Sequence, residues 1–200
     1  MSTASSIGFV LSAGRTGTVF LTDALAHADP PVHAVHEPEG SRSTLVLANM
    51  SNAAGVGRRA LTRRFQTNLA RRLDRLDPDD AYVEFNPMLC ACTDVLQSVP
   101  GPLRVVHLVR SPAPWVRSIL AFRASGWRRH VIEHTPFANP YPWPRPAGWL
   151  RMDRVERALW RWRYCNEQLL ALEGSTVAMV GVARMDGVEE CLRRAGAQVG

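Results

Sequence analysis

The residues whose types and spacing could carry chemistry gather at three places. The first is Ala13-Gly14-Arg15-Thr16-Gly17-Thr18, between a short apolar run and a helical pattern in Val19, Phe20, Leu21 and Leu25. Glycines at a strand-to-helix turn let the backbone close around an anion, and the first helical amides with the hydroxyls of Thr16 and Thr18 would point at it. Arg15 adds a fork of fixed positive charge. The second place is Arg110, delivered by the apolar run Leu103 to Val109, with Ser111-Pro112 opening a helix through a cap and a first-turn proline. Ser118 lies eight residues after Arg110 in that helix. The third is His36-Glu37-Pro38-Glu39, at the end of another apolar run. Ligands of open α/β sheets bind beyond the carboxyl ends of the strands, so all three places should face one crevice. Two separated cationic anchors suit a ligand with two separated anionic groups.

The elements that must position these residues follow from the alternation of apolar runs and helical periods, the pattern of a parallel sheet with crossover helices. Strands are expected at Ile7 to Ser12, Val32 to His36, Ala81 to Phe85, Leu103 to Val109 and Thr176 to Val182, with Leu103 to Val109 buried on both faces. Helices are expected at Val56 to Leu76, with Leu61, Phe65, Leu69, Leu73 and Leu76 in one stripe, and at Arg151 to Glu173. Residues 37 to 55 read as a loop. Residues 135 to 148 hold five prolines in fourteen positions and read as a loop whose Phe137, Tyr141 and Trp143 suit the wall of an acceptor site. The expected architecture is α/β, a three-layer sandwich around a central, mainly parallel five-stranded sheet of the P-loop nucleotide kinase-like kind. The whole chain, 1 to 200, reads as one domain.

Composition excludes more than it selects. All 24 basic side chains are arginine and none is lysine, so Schiff-base chemistry, a Ser-Lys dyad and a lysine-containing Walker loop are ruled out. The net charge of +6 suits an anionic partner. The arginines around Val56 to Leu76 read as a solvated helix face, with polyanion binding as the alternative. Cys90 and Cys92 form C-x-C, while Cys165 and Cys191 are far away, which is neither zinc nor redox spacing. Buried, reduced thiols and no metal site are expected. No apolar run approaches a membrane span, and the chain reads as soluble and cytoplasmic.

The turn SAGRTGT together with HLVRSPAPWVRS, in that order and context, resembles the sulfotransferases that use 3′-phosphoadenosine 5′-phosphosulfate (PAPS). The resemblance covers residues 7 to 124 and continues loosely to Met185-Asp186. It implies that Gly14, Arg15, Thr16, Gly17 and Thr18 hold the 5′-phosphosulfate and that Arg110 and Ser118 hold the 3′-phosphate. Val19 replaces a second hydroxyl often found there. The C-terminal Gly- and Lys-containing motif of the cytosolic animal enzymes is absent, which places the chain nearer the bacterial and carbohydrate- or tyrosine-directed branches.

The implied reaction moves a sulfuryl group to a hydroxyl or amine of a small-molecule or carbohydrate acceptor, with no metal, no membrane and no specific nucleic acid involved. Such transfer needs a base for the acceptor proton and donors for the charge on the leaving phosphate. Family branches place a glutamate base where Glu37 stands. His36 competes because an imidazole titrates near neutrality. Glu84 in YVEFNP is a third candidate, where the animal enzymes carry a lysine two residues before a histidine. Arg15 would stabilise charge without donating a proton. The alternatives are a nucleotide kinase-like phosphotransferase and a non-catalytic polyanion-binding module. Oligomeric state is not encoded in any of these features.

Overall fold

The computed structural model describes residues 6–29, 32–100, 103–121, 142–173 and 178–184. Its strands are β1 (Ser6–Leu11), β2 (Val32–His36), β3 (Ala81–Phe85), β4 (Leu103–Val109) and β5 (Ala178–Arg184). Its α-helices are α1 (Thr18–Ala26), α2 (Ser41–Ala54), α3 (Arg58–Leu73), α4 (Pro112–Ala121) and α5 (Arg154–Glu173). The sheet order is β2-β3-β1-β4-β5, and every neighbouring pair is parallel. β1 is therefore central, and the chain switches direction across the sheet on either side of it.

Hydrophobic burial is unequal on the two faces. Phe9, Leu11, Tyr82, Leu103 and Val105 join one large cluster with α2, α3, α4 and α5. Val10, Phe85 and Leu108 form a small cluster with Leu21 and Leu25 of α1. Among the described residues α1 alone covers that second face, so β4 is not buried on both sides as expected. Its residues alternate, with Leu103, Val105 and His107 buried and Arg104 and Val106 exposed. His107 is a core histidine, its Nε2 2.8 Å from Asn166 Oδ1.

α2 overturns the loop expected at residues 37 to 55. Its buried positions include Ser41, Thr44, Asn49 and Ser51, so no apolar stripe announces it. Instead its polar side chains are matched: Asn86 Nδ2 donates to Ser41 Oγ at 3.0 Å, and Asn49 Oδ1 accepts from the Trp143 amide at 3.0 Å. Burying polar groups is tolerable only with such partners. Gly55, left-handed at φ 67, ends the helix.

The other boundaries shift for local reasons. α3 begins at Arg58, after left-handed Gly57, and keeps Leu61, Phe65, Leu69 and Leu73 buried at four-residue steps. α5 begins at Arg154 because Asp153 caps it. Asp153 Oδ1 accepts from the amides of Val155 and Glu156, and Glu156 Oε2 accepts from the Asp153 amide at 2.7 Å, a reciprocal capping box. Trp149–Arg151 forms a separate 3-10 turn. β5 runs to Arg184 rather than Val182, and Thr176 lies outside the described residues, as do Phe137, Tyr141, Met185, Asp186 and Cys191.

The helix arginines are mostly solvated, and three have structural partners. Arg58 Nε donates to Asp94 at 2.6 Å, and Arg64 reaches Ser43. Arg72 Nη2 donates to Glu84 Oε2 at 2.9 Å. Glu84 is fully buried, and its carboxylate also accepts from Tyr82 Oη at 2.9 Å and Asn86 Nδ2 at 2.8 Å. Burial, followed by the charge of Glu84, pushes the Tyr82 hydroxyl well above its ordinary pKa and keeps it a donor. Glu84 is thus a structural anion between β3 and α3, which corrects its candidacy as a base. Removing its cation leaves a buried carboxylate unpaired, so Arg72→Met should destabilise the fold by about 3–5 kcal/mol. Adding Glu84→Gln should recover part of that loss. Urea denaturation of the two variants checks this, and a loss under about 1 kcal/mol for Arg72→Met would refute the pairing.

Candidate functional site

The loop after β1 is bent by three left-handed residues in four positions, Gly14 at φ 79, Arg15 at φ 54 and Gly17 at φ 85. Left-handed geometry costs a non-glycine residue about 1 kcal/mol, so Arg15 holds its conformation only because its surroundings impose it. Those surroundings are specific. Ser12 Oγ accepts from the Gly14 amide at 3.1 Å. Arg161 Nη2 of α5 donates to the Ala13 carbonyl at 3.1 Å, buried Trp115 Nε1 of α4 to the Gly14 carbonyl at 2.5 Å, and Arg110 Nη1 to the Arg15 carbonyl at 3.1 Å. The carbonyl and the next amide of a trans peptide point in opposite directions. Tying the Gly14 carbonyl to Trp115 therefore turns the Arg15 amide away from the core.

A cleft of about 910 Å³ opens at the carboxyl ends of the strands, and Gly14, Arg15, Gly17, Thr18, Arg110 and Ser118 line it. Arg15 Nε donates to Ser118 Oγ at 3.4 Å, and the Arg110 carbonyl accepts from Trp162 Nε1 at 2.9 Å. The two cationic anchors expected to be separate are joined, Arg110 through the Arg15 carbonyl and Ser118 through the Arg15 side chain. Thr16 departs from its expected place. It is buried and outside the cleft lining, and its Oγ1 has no hydrogen-bond partner among the described residues.

The opposite wall comes from β2. His36 pairs with Phe85 in register, and the Glu37 amide continues the ladder to the Phe85 carbonyl at 2.9 Å. Glu37 then turns left-handed at φ 43, and both side chains line the cleft. His36 Nε2 lies 2.9 Å from Thr18 Oγ1, which ties this wall to the start of α1. No hydrogen bond or ion pair to a described residue engages the Glu37 carboxylate.

Several cleft residues carry no signal in the motifs. Phe20 and Val19 stand exposed at its mouth, where a ring can stack on a base. Arg42 opens α2 on the Glu37 side, with Leu45, Met88 and Pro142 giving apolar surface. Pro142 is followed by Trp143, whose carbonyl accepts from Asn52 Nδ2 at 2.9 Å, so the end of the Pro-rich segment is clasped to α2. Beneath the loop, Cys90 Sγ donates to the Ser12 carbonyl at 2.9 Å. Its contact with Cys165 and then burial raise the Cys90 thiol, while the same contact and then the charge of Arg161 lower Cys165. Burial holds Cys92 at about 12. Cys90, Cys92 and Cys165 are free thiols. Among the described residues no His, Cys, Asp or Glu group could hold a metal ion, and no helix is long and apolar enough to cross a membrane.

No family model and no curated protein matches the chain. A solved structure does: the sulfotransferase domain from the curacin biosynthetic pathway superposes with a TM-score of 0.59 at 14% identity, over 99% of this chain and 73% of that one. The chain therefore shares the fold of a sulfotransferase domain.

Proposed function

We propose that the protein is a sulfotransferase that takes a sulfuryl group from PAPS and delivers it to a hydroxyl or amine. One observation carries the reading: the Arg15 loop and the Arg110–Ser118 pair, distant in sequence, meet in a single cationic cleft at the strand ends. The likeness to a sulfotransferase domain supports it. The residues present fit the nucleotide. The glycine turn has room for an anion, Arg15 and Arg110 supply two guanidiniums, Ser118 supplies a hydroxyl, and Phe20 offers a ring at the mouth. PAPS, when bound, supplies an activated sulfuryl group on a phosphate that leaves.

In this reading Arg15 stabilises the charge that develops on the leaving phosphate, and it does so without moving a proton. Arg110 and Ser118 hold the 3′-phosphate and set the register of the nucleotide. Gly14, Gly17 and the Thr18 end of α1 shape the loop. Glu37 takes the proton of the acceptor, because it lines the cleft and its carboxylate has no partner among the described residues. His36 is committed to Thr18 and orients the loop instead. Arg42, Leu45 and Met88 bound the acceptor side, which fits a small hydroxylated molecule or a carbohydrate. Much of the rate in such a site comes from in-line positioning and preorganised charge.

Two measurements test this. Isothermal titration with adenosine 3′,5′-bisphosphate should show binding that Arg110→Ala weakens about tenfold or more, the scale of a charge-assisted contact. No binding at high micromolar ligand, or binding indifferent to Arg110→Ala, would sink the assignment. With an acceptor found by screening, Glu37→Gln should lower kcat by about 10²-fold or more and leave bisphosphate affinity within twofold, whereas His36→Asn should weaken nucleotide binding. A Glu37→Gln enzyme with full turnover would return the base to His36.

A further inference from the structure

Arg161 projects from α5 under the loop that follows β1, and neither sequence motif includes it. Its Nη2 donates to the Ala13 carbonyl at 3.1 Å, its guanidinium sits 5.9 Å from the Trp115 ring centroid, and its Nε is buried without a hydrogen-bond partner among the described residues. A Cβ at position 14 would lie 3.2 Å from Arg161 Nη2, so the cation touches the underside of the turn. The side chain also lines the cleft beside Arg15 and Arg110. No carboxylate among the described residues pairs with it. The group beside it that leans toward ionisation is the thiol of Cys165, one turn further along α5.

A half-buried guanidinium without a carboxylate is unfavourable in the ligand-free protein unless an anion arrives to neutralise it. Here the cation is held by a loop carbonyl at a place where the adjoining loop opens to the cleft. We propose that Arg161 is a third guanidinium for the anion in the Gly14–Thr18 turn, approaching from the α5 side while Arg15 approaches from the mouth. This rests on the sulfotransferase reading and deepens it: the 5′-anion of the nucleotide, not its 3′-phosphate, is the group Arg161 recognises. Occupancy of the turn also acts on Arg161, because the same guanidinium that meets the anion holds the Ala13 carbonyl.

The test compares two probes that differ only at the 5′ end, adenosine 3′,5′-bisphosphate and adenosine 3′-monophosphate, each titrated into wild type, Arg161→Gln and Arg161→Lys. The expected result is a loss of about tenfold or more for the bisphosphate in Arg161→Gln, with affinity for the 3′-monophosphate within twofold of wild type. Arg161→Lys keeps a charge and loses the fork, and should fall between the two. Equal losses for both probes would mean that Arg161 only supports the fold, and no loss for either would mean that it meets no anion. Either overturns the proposal. Should Arg161→Gln fail to show a cooperative melt, Arg161→Lys is read against the same two probes, and a loss for the bisphosphate no greater than for the 3′-monophosphate overturns the proposal. A wild type that binds neither nucleotide would instead overturn the sulfotransferase reading, a failure distinct from the one specific to Arg161.

Discussion

The hydrogen bond from Trp115 Nε1 to the Gly14 carbonyl is the constraint on which the cleft depends. It is buried, and it joins the turn after the central strand to the helix after the neighbouring strand, so the two halves of the cleft cannot drift apart while it is made. Arg161 and Arg110 tie the flanking carbonyls in the same way. Three consecutive carbonyls thus receive donors from later segments of the chain, and the strained geometry of Arg15 is the result of that clamp. A loop held this way is formed before any ligand comes, which is what catalysis by fixed charge requires.

Much of this was legible in the sequence, and the reasons differ from element to element. β2, β3 and β4 are marked by short apolar runs whose bounds the structure repeats. Arg15, Arg110 and Ser118 could be placed together because strand-end residues of a parallel sheet share one rim. α2 was invisible because its buried face is polar and its partners, Asn86 and Trp143, are remote in sequence; a periodicity argument detects apolar faces only. The start of α5 was legible in principle, since Asp153-Arg-Val-Glu156 is a capping signature.

Glu84 shows a different limit. It is a candidate base through the resemblance, at the position where the animal enzymes carry a lysine two residues before a histidine, but it is the penultimate residue of β3 and shares a face with Tyr82. The cleft residues of this sheet come from the last strand residue or just beyond it, as His36 and Glu37 do at the end of β2 and Arg110 does after Val109. Glu84 stops short of the strand's end, on the side where Arg72 of α3 meets it, and so is a buried structural anion and not a group of the cleft. Thr16 departs for a different reason: a hydroxyl in the right tripeptide can still be buried outside the cleft lining.

The exclusive use of arginine has a consequence for how the cleft behaves as a medium. Arg15, Arg42, Arg110 and Arg161 all line it, and a guanidinium keeps its proton across the whole range in which a protein stays folded. The positive potential of the cleft is therefore a constant of the molecule, screened by salt but not switched by acidity.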